Sequence, residues 1–345
     1  MSCANGIFKF SGAGNDFVVL DGRSGGMEAF RQPRRIGQLC REYHTDGLMI
    51  LTTPSPAKND SLASPAQSDP SADTAQSAPS AGPAPDFQME FYNPDGSGGM
   101  MCGNGGRCIV AFADYLGLQP ASPDGVWRFL APDGLHEAQI LEGPAHPFSK
   151  EDAPHKPGIV LENWTVRLKM IDVSAATPMK GGYFLNTGTR HFVKFVPDVD
   201  AVDVQKEGYA LRWDPAFQPE GTNVNFVQMS ADGSLHVRTF EKGVEAETLA
   251  CGTGLTASAI AAWLHACPGD NKVGPECPAP DASAPGLTTA PTMASASAPG
   301  LAPVSYRLQC RRGDWLQVDF QPSFLAQASS ASFSHVYLTG PAEIL

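Results

Sequence analysis

One short phrase occurs twice in the chain: Cys102-Gly103-Asn104-Gly105 and Cys251-Gly252-Thr253-Gly254. Each copy follows strand periodicity and opens helix periodicity. Before the first copy, Phe87, Met89 and Phe91 alternate with Gln88, Glu90 and Tyr92, and Pro94-Asp95-Gly96 marks a turn. After it, Ile109, Phe112, Ala113 and Leu116 share one helical face, which stops at Gly117. Around the second copy, Leu235, Val237 and Thr239 alternate, and Leu255, Ala259, Ala262 and Trp263 form a helical face. A duplicated strand–turn–helix unit predicts two pseudo-symmetric α/β domains that bring the two cysteines face to face.

Each cysteine is then at a helix N-terminus. Unpaired N–H groups and the positive end of the helix dipole favour negative charge there, so lowered thiol pKa values are expected. The glycines let a ligand approach the N–H groups of Gly103, Asn104, Gly252 and Thr253, which can hold a carboxylate. Two thiols on opposite faces of one carbon suit stereoinversion. One thiolate takes the α-proton, and the opposite thiol returns a proton. N–H groups on the carboxylate stabilise the carbanion formed between those steps.

These motifs resemble the diaminopimelate epimerase family. The resemblance continues through Gly12-Ala13-Gly14-Asn15-Asp16-Phe17, Tyr92-Asn93-Pro94-Asp95-Gly96-Ser97, Gly221-Thr222-Asn223-Val224, Phe240-Glu241-Lys242-Gly243 and Leu338-Thr339-Gly340-Pro341-Ala342, in the family's order. It implies an α/β fold in which each domain is a mixed sheet or barrel wrapped around a central helix. It implies cofactor-independent interconversion of LL- and meso-diaminopimelate for lysine and peptidoglycan precursor synthesis, with Cys102 and Cys251 as the acid–base pair. No pyridoxal phosphate and no metal is implied, and a homodimer is. Substrate contacts are implied for Asn15, Asn93, Asn223, Glu241 and Lys242. Three places depart from the pattern. Tyr43-His44-Thr45 stand where the family usually has a glycine-rich lead-in to Gly47. Lys242 stands where the family typically has Arg and loses the bidentate fork. Thr189 and Arg190 replace the Asn-Pro that commonly precedes the family's His, here His191. His191, with Thr189 beside it, is read either as a supporting site group or as an imidazole that fixes a loop.

Three other roles fit the cysteines. A proline-racemase-type enzyme would share the thiols, although such proteins usually have His where Asn104 stands. A thiol redox protein also needs reactive cysteines. An anion-binding module needs only the helix N-termini.

The net charge of −12 argues against a nucleic-acid partner, which needs clustered Lys and Arg. The chain lacks the run of about 18 apolar residues that a membrane helix needs, and residues 1–10 lack a signal-peptide core. Its 8 cysteines fall at irregular spacings without a Cys-x-x-Cys, as free thiols of a cytoplasmic protein do. Segments 52–86 and 266–303 are rich in Ala, Ser and Pro and read as disordered insertions, the second carrying Cys267 and Cys277. The domains are expected at residues 1–132 with 334–345, and at 133–333. Glu245 and Glu247 are expected to be solvated.

Overall fold

The computed structural model describes residues 6–54, 84–98, 102–144, 163–266, 302–324 and 331–345. Most of the two expected insertions, with Cys267 and Cys277, lies outside the described residues. The elements run β1 (Ile7–Ser11), β2 (Asp16–Asp21), α1 (Pro33–Tyr43), β3 (Gly47–Thr52), β4 (Phe87–Tyr92), α2 (Gly103–Tyr115), β5 (Val126–Ala131), β6 (Gly134–Glu142) and β7 (Asn163–Lys169). Then come β8 (Ala176–Met179), β9 (Gly182–Asn186), β10 (Arg190–Phe195), α3 (Val204–Arg212), β11 (Asn223–Met229), β12 (Leu235–Glu241) and β13 (Ala246–Thr248). The chain finishes with α4 (Gly252–Ala266), β14 (Val304–Gln309), β15 (Trp315–Phe324) and β16 (Ala331–Ile344).

The duplication is visible in the pairing. β1 and β2 are antiparallel, as are β9 and β10. β2 and β3 are parallel across α1, as β10 and β11 are across α3. β4 and β5 are parallel across α2, as β12 and β14 are across α4. A parallel pair needs a long crossover, and in each half the second crossover is the helix that a cysteine turn opens. β1 to β7 form a ring that β16 closes, through Gly340↔Val166 on one side and Phe10↔Ile344 on the other. The other strands extend the sheet from β16, and α4 packs against β9–β12 and β14–β16. The molecule is thus the expected α/β fold of two similar halves, each built around a helix.

The pairing shows how the two halves are joined. The boundary expected near Pro132 falls in the turn between β5 and β6, neighbours in the same ring, and the ring continues to Lys169. The last strand serves both halves: Ala331–Thr339 pairs with β15, and Gly340–Glu343 pairs with β7. Gly340-Pro341-Ala342 thus lies within this strand. A Cβ on Gly340 would lie 2.8 Å from Leu316 Cδ2, so glycine allows the close approach there.

The two central helices have no solvent face. Residues Gly103 to Ala113 of α2 are all buried, and so is α4 from Gly254 to Trp263. The four-residue apolar faces read from periodicity therefore understate their burial, because a helix inside a sheet is enclosed on every side. In α4 the hydroxyls of Thr256 and Ser258 bond back to the carbonyls of Gly252 and Gly254 at 3.0 and 2.7 Å. That satisfies polar groups which burial would otherwise leave unpaired. The outer helices cover smaller cores. Ile36 and Leu39 of α1 pack with Val18, Leu48 and Ile50, and Val204 of α3 packs with Phe192, Val224 and Phe240. No helix among the described residues is long and apolar enough to cross a membrane.

Candidate active site

The two central helices meet at their N-termini. A Cβ on Gly103 would lie 3.7 Å from the Gly252 Cα, and one on Gly252 would lie 3.5 Å from the Gly103 Cα. The tighter limit on side chains there comes from Leu338, whose Cδ2 would lie 3.3 Å from a Cβ on Gly103 and 3.0 Å from one on Gly252. Cys102 caps α2, and its Sγ accepts from the Gly105 N–H at 3.2 Å. Cys251 immediately precedes α4. Both thiols therefore flank one seam, into which the first N–H groups of both helices project.

The Gly12-Ala13-Gly14 turn is wedged against both helix starts. A Cβ on Gly12 would meet the Asn104 carbonyl oxygen at 2.7 Å, and one on Gly14 would meet Ala250 Cβ at 3.0 Å. The turn also brings Asn15 to the seam, where the Asn104 Nδ2 donates to its Oδ1 at 2.7 Å.

A second polar group surrounds Cys251. The Asn225 Nδ2 donates to His191 Nδ1 at 3.0 Å, so the His191 proton is on Nε2. That nitrogen lies 2.9 Å from both Thr189 Oγ1 and Thr253 Oγ1. The Thr253 hydroxyl is in turn 3.5 Å from Cys251 Sγ. Asn223 donates to Thr189 Oγ1 at 3.2 Å and accepts from the Lys242 backbone N–H at 2.8 Å. His191 is fully buried, and burial holds its pKa near 3, so the imidazole is neutral.

The thiols are not activated in the way their helix positions suggest. Burial pushes Cys102 up to about 11, against the opposing pull of the Gly105 N–H, and the Glu241 carboxylate pushes it further. Burial pushes Cys251 up to about 12, again with Glu241 adding to the rise and the Thr253 hydroxyl opposing it. Desolvation of a thiolate therefore exceeds the attraction of the helix end, which corrects the lowered values expected from sequence. Burial also raises the Glu241 carboxyl, with Thr248 opposing.

The structure thus gathers Asn15, Cys102, Gly103, Asn104, Thr189, His191, Asn223, Glu241, Cys251, Gly252 and Thr253 around one seam. Two predicted contacts are engaged elsewhere. The Asn93 Nδ2 donates to Ser97 Oγ at 3.0 Å within its own turn. The Lys242 Nζ donates to the Glu220 carbonyl at 2.9 Å. Glu245 and Glu247 are not simply solvated. Glu245 pairs with Arg212 at 3.2 Å, and Glu247 holds Arg238 through two bonds of 2.6 and 2.7 Å. Sequence reasoning missed Asn225 and Arg107. Asn225 stands between Val224 and Phe226 in a strand pattern, and Arg107 stands directly ahead of the apolar run from Cys108 to Ala113; those positions were the available signal.

The arrangement defines a class: two similar halves, each with a central helix opened by a cysteine turn, joined at the turns. The same fold occurs in a Bacillus anthracis phenazine biosynthesis protein of the PhzF family, at 10% identity and TM-score 0.57 over 98% of this chain and 96% of that one. It also occurs in a hydroxyproline epimerase from Agrobacterium vitis, at 14% identity and TM-score 0.51 over 97% and 89% of the two chains. Sequence narrows the class. The diaminopimelate epimerase family profile matches residues 183–279. The Aquifex aeolicus diaminopimelate epimerase is 37% identical over 75% of this chain and 81% of its own length. The Flavobacterium psychrophilum diaminopimelate epimerase is 34% identical over 74% and 80%. The chain belongs to the diaminopimelate epimerase family, a family of isomerases.

Proposed function

We propose that the protein interconverts LL- and meso-diaminopimelate by proton transfer between two thiols, without a cofactor, as a cytoplasmic step of lysine and peptidoglycan precursor synthesis. The observation that carries the reading is the contact of Gly103 with Gly252, which sets two cysteine-led helix starts against one another. The reacting carboxylate sits on the N–H groups of Gly103, Asn104, Gly252 and Thr253. Negative charge that develops as the α-proton leaves is stabilised there. Cys102 and Cys251 stand on opposite sides of the α-carbon, so one removes a proton and the other delivers one. Glu241 takes the ammonium of the reacting centre, and Asn15 and Asn223 read the remaining polar groups.

Glu241 also links binding to activation. Its negative charge raises both thiols in the free protein. Pairing that carboxylate with the substrate ammonium removes the push, so a thiolate forms more easily once substrate is bound. Selectivity follows from the far end, because a substrate lacking the second amino-acid group leaves the polar groups that read it without their partner.

The test is incubation of the purified protein with LL-diaminopimelate in heavy water, with no added cofactor. Formation of the meso isomer with deuterium at one α-carbon is the expected result. Failure to exchange that hydrogen overturns the reading.

A further inference from the structure

Arg107 lies on α2, one helical turn after Gly103, and is fully buried. Its four hydrogen bonds all go to neutral acceptors. Nε donates to the Pro341 carbonyl at 3.2 Å, Nη1 to the Gly103 carbonyl at 3.3 Å, and Nη2 to the Gly12 carbonyl at 3.1 Å and to Asn104 Oδ1 at 3.0 Å. Among the described residues no carboxylate is in salt-bridge contact with it; Asp314 pairs with Arg312 and acts on Arg107 only at longer range. Glycines make room for it: a Cβ on Gly340 would lie 3.2 Å from Nε.

Burying a cation without a counter-charge is strongly unfavourable, and an apolar side chain fills such a space at lower cost. A purely structural role therefore explains it poorly. The guanidinium stays protonated although burial lowers its pKa. The groups whose charges act on it are Cys108, Cys102, Cys310 and Asp314. Cys108 and Cys310 are buried thiols raised by desolvation and remain neutral. Of these groups, only Cys102 faces the seam. The charged neighbours acting on Cys102 are Glu241, which opposes ionisation, and Arg107, which favours it. Arg107 also fixes an amide. A guanidinium only donates, so Asn104 turns Oδ1 towards it and Nδ2 towards Asn15 Oδ1. Asn15 accepts on that side and presents its own Nδ2 donors on the other.

We propose that Arg107 is a positioning residue of the site: the buried cation that makes Cys102 the more readily ionised of the two thiols and locks Asn104 and Asn15 in one amide orientation. This rests on the two-thiol reading above, but its test does not use the substrate. Arg107→Gln and Arg107→Lys are treated with iodoacetamide, and labelling of Cys102 and Cys251 is followed by peptide mass mapping across roughly pH 7–10. In Arg107→Gln, Cys102 is expected to label about tenfold more slowly at a given pH, one pKa unit's worth. Cys251 in the same molecule stays within about twofold of its rate in the unsubstituted protein, because among the described residues no cation is named among the groups acting on it. Arg107→Lys keeps the charge and is expected to label Cys102 within about threefold of the unsubstituted protein. Its epimerisation falls, because the fork that orients Asn104 is lost. A folded Arg107→Gln protein with unchanged Cys102 labelling overturns the proposal. Equal slowing in both variants, or loss of the fold in both, does so too. If the unsubstituted protein fails to epimerise diaminopimelate while Arg107→Gln still slows Cys102 labelling, the functional reading fails and this one stands. If the unsubstituted protein epimerises and labelling is unchanged, the reverse holds.

Discussion

The two cysteine turns share a backbone and differ in what surrounds them. The first packs against the buried Arg107 cation and an amide pair, Asn104 with Asn15. The second packs against neutral groups, an imidazole and two threonine hydroxyls, with Asn225 fixing the tautomer. Both face Glu241. A duplicated scaffold supplies two equivalent helix ends, and the side chains behind each end then make the thiols chemically unequal. Interconversion of two epimers has a use for this inequality, since the two directions place different thiols in the role of base.

The comparison can be tested at decreasing scale. Replacing Cys102 or Cys251 by Ala is expected to lower epimerisation about a thousandfold or more, because proton removal and return each need their own thiol. Conversion of LL to meso substrate by proton NMR measures this. A single variant that retains most of its turnover breaks the equivalence of the turns.

Substituting the contact glycines comes next. A methyl at position 252 would lie 3.0 Å from Leu338 Cδ2, and one at 103 would lie 3.3 Å from the same atom. Gly252→Ala is expected to lose about a hundredfold in kcat/KM through misplacement of the reacting groups, and Gly103→Ala less. Thermal melting run alongside should change little. Equal, small losses in both would show that the seam is not where substrate sits.

Acid sensitivity belongs to the second turn. His191 is neutral when folded, with a pKa near 3, and recovers its ordinary value of about 6.5 when unfolded. Its contribution to stability is complete above about pH 6.5 and declines as pH falls towards 3, by up to about 1.4 kcal/mol per pH unit. In His191→Gln this slope should flatten in urea titrations at stepped pH. The half-buried thiols of Cys102 and Cys251 act with the opposite sign. They support the fold below their unfolded values, near pH 8.5, and lose that contribution as pH climbs towards 11 and 12.

The smallest effect is expected at Thr253→Val, which removes the hydroxyl between His191 and Cys251. Labelling of Cys251 should slow by about threefold while Cys102 is unaffected, since one weak hydrogen bond to sulfur is lost. An effect on Cys102 of the same size would mean that the turns are coupled and do not act separately.

Much of the site was readable because its logic is local. Cys-Gly-x-Gly between a strand pattern and a helix pattern states where the helix begins, and its repetition states that two such beginnings exist. The glycines at 103 and 252 announce a close approach whatever partner they meet. The strands flanking each copy follow from alternation over short windows. Other features have no local signature. β8 and β13 are edge pieces of four and three residues, each one arm of a hairpin and too brief for alternation to show. The ion pairs of Glu245 and Glu247 depend on Arg212 and Arg238 arriving from other elements.

The amino-acid sequence by itself determined the duplicated scaffold, the two thiols and the backbone donors beside them, because each rests on residue types a few positions apart. The tertiary structure alone decided the sign of the thiol pKa shifts and the asymmetry between the turns. Desolvation and Coulomb terms are sums over everything packed around a group, and Glu241, Arg107 and His191 reach the thiols only after distant segments have folded together.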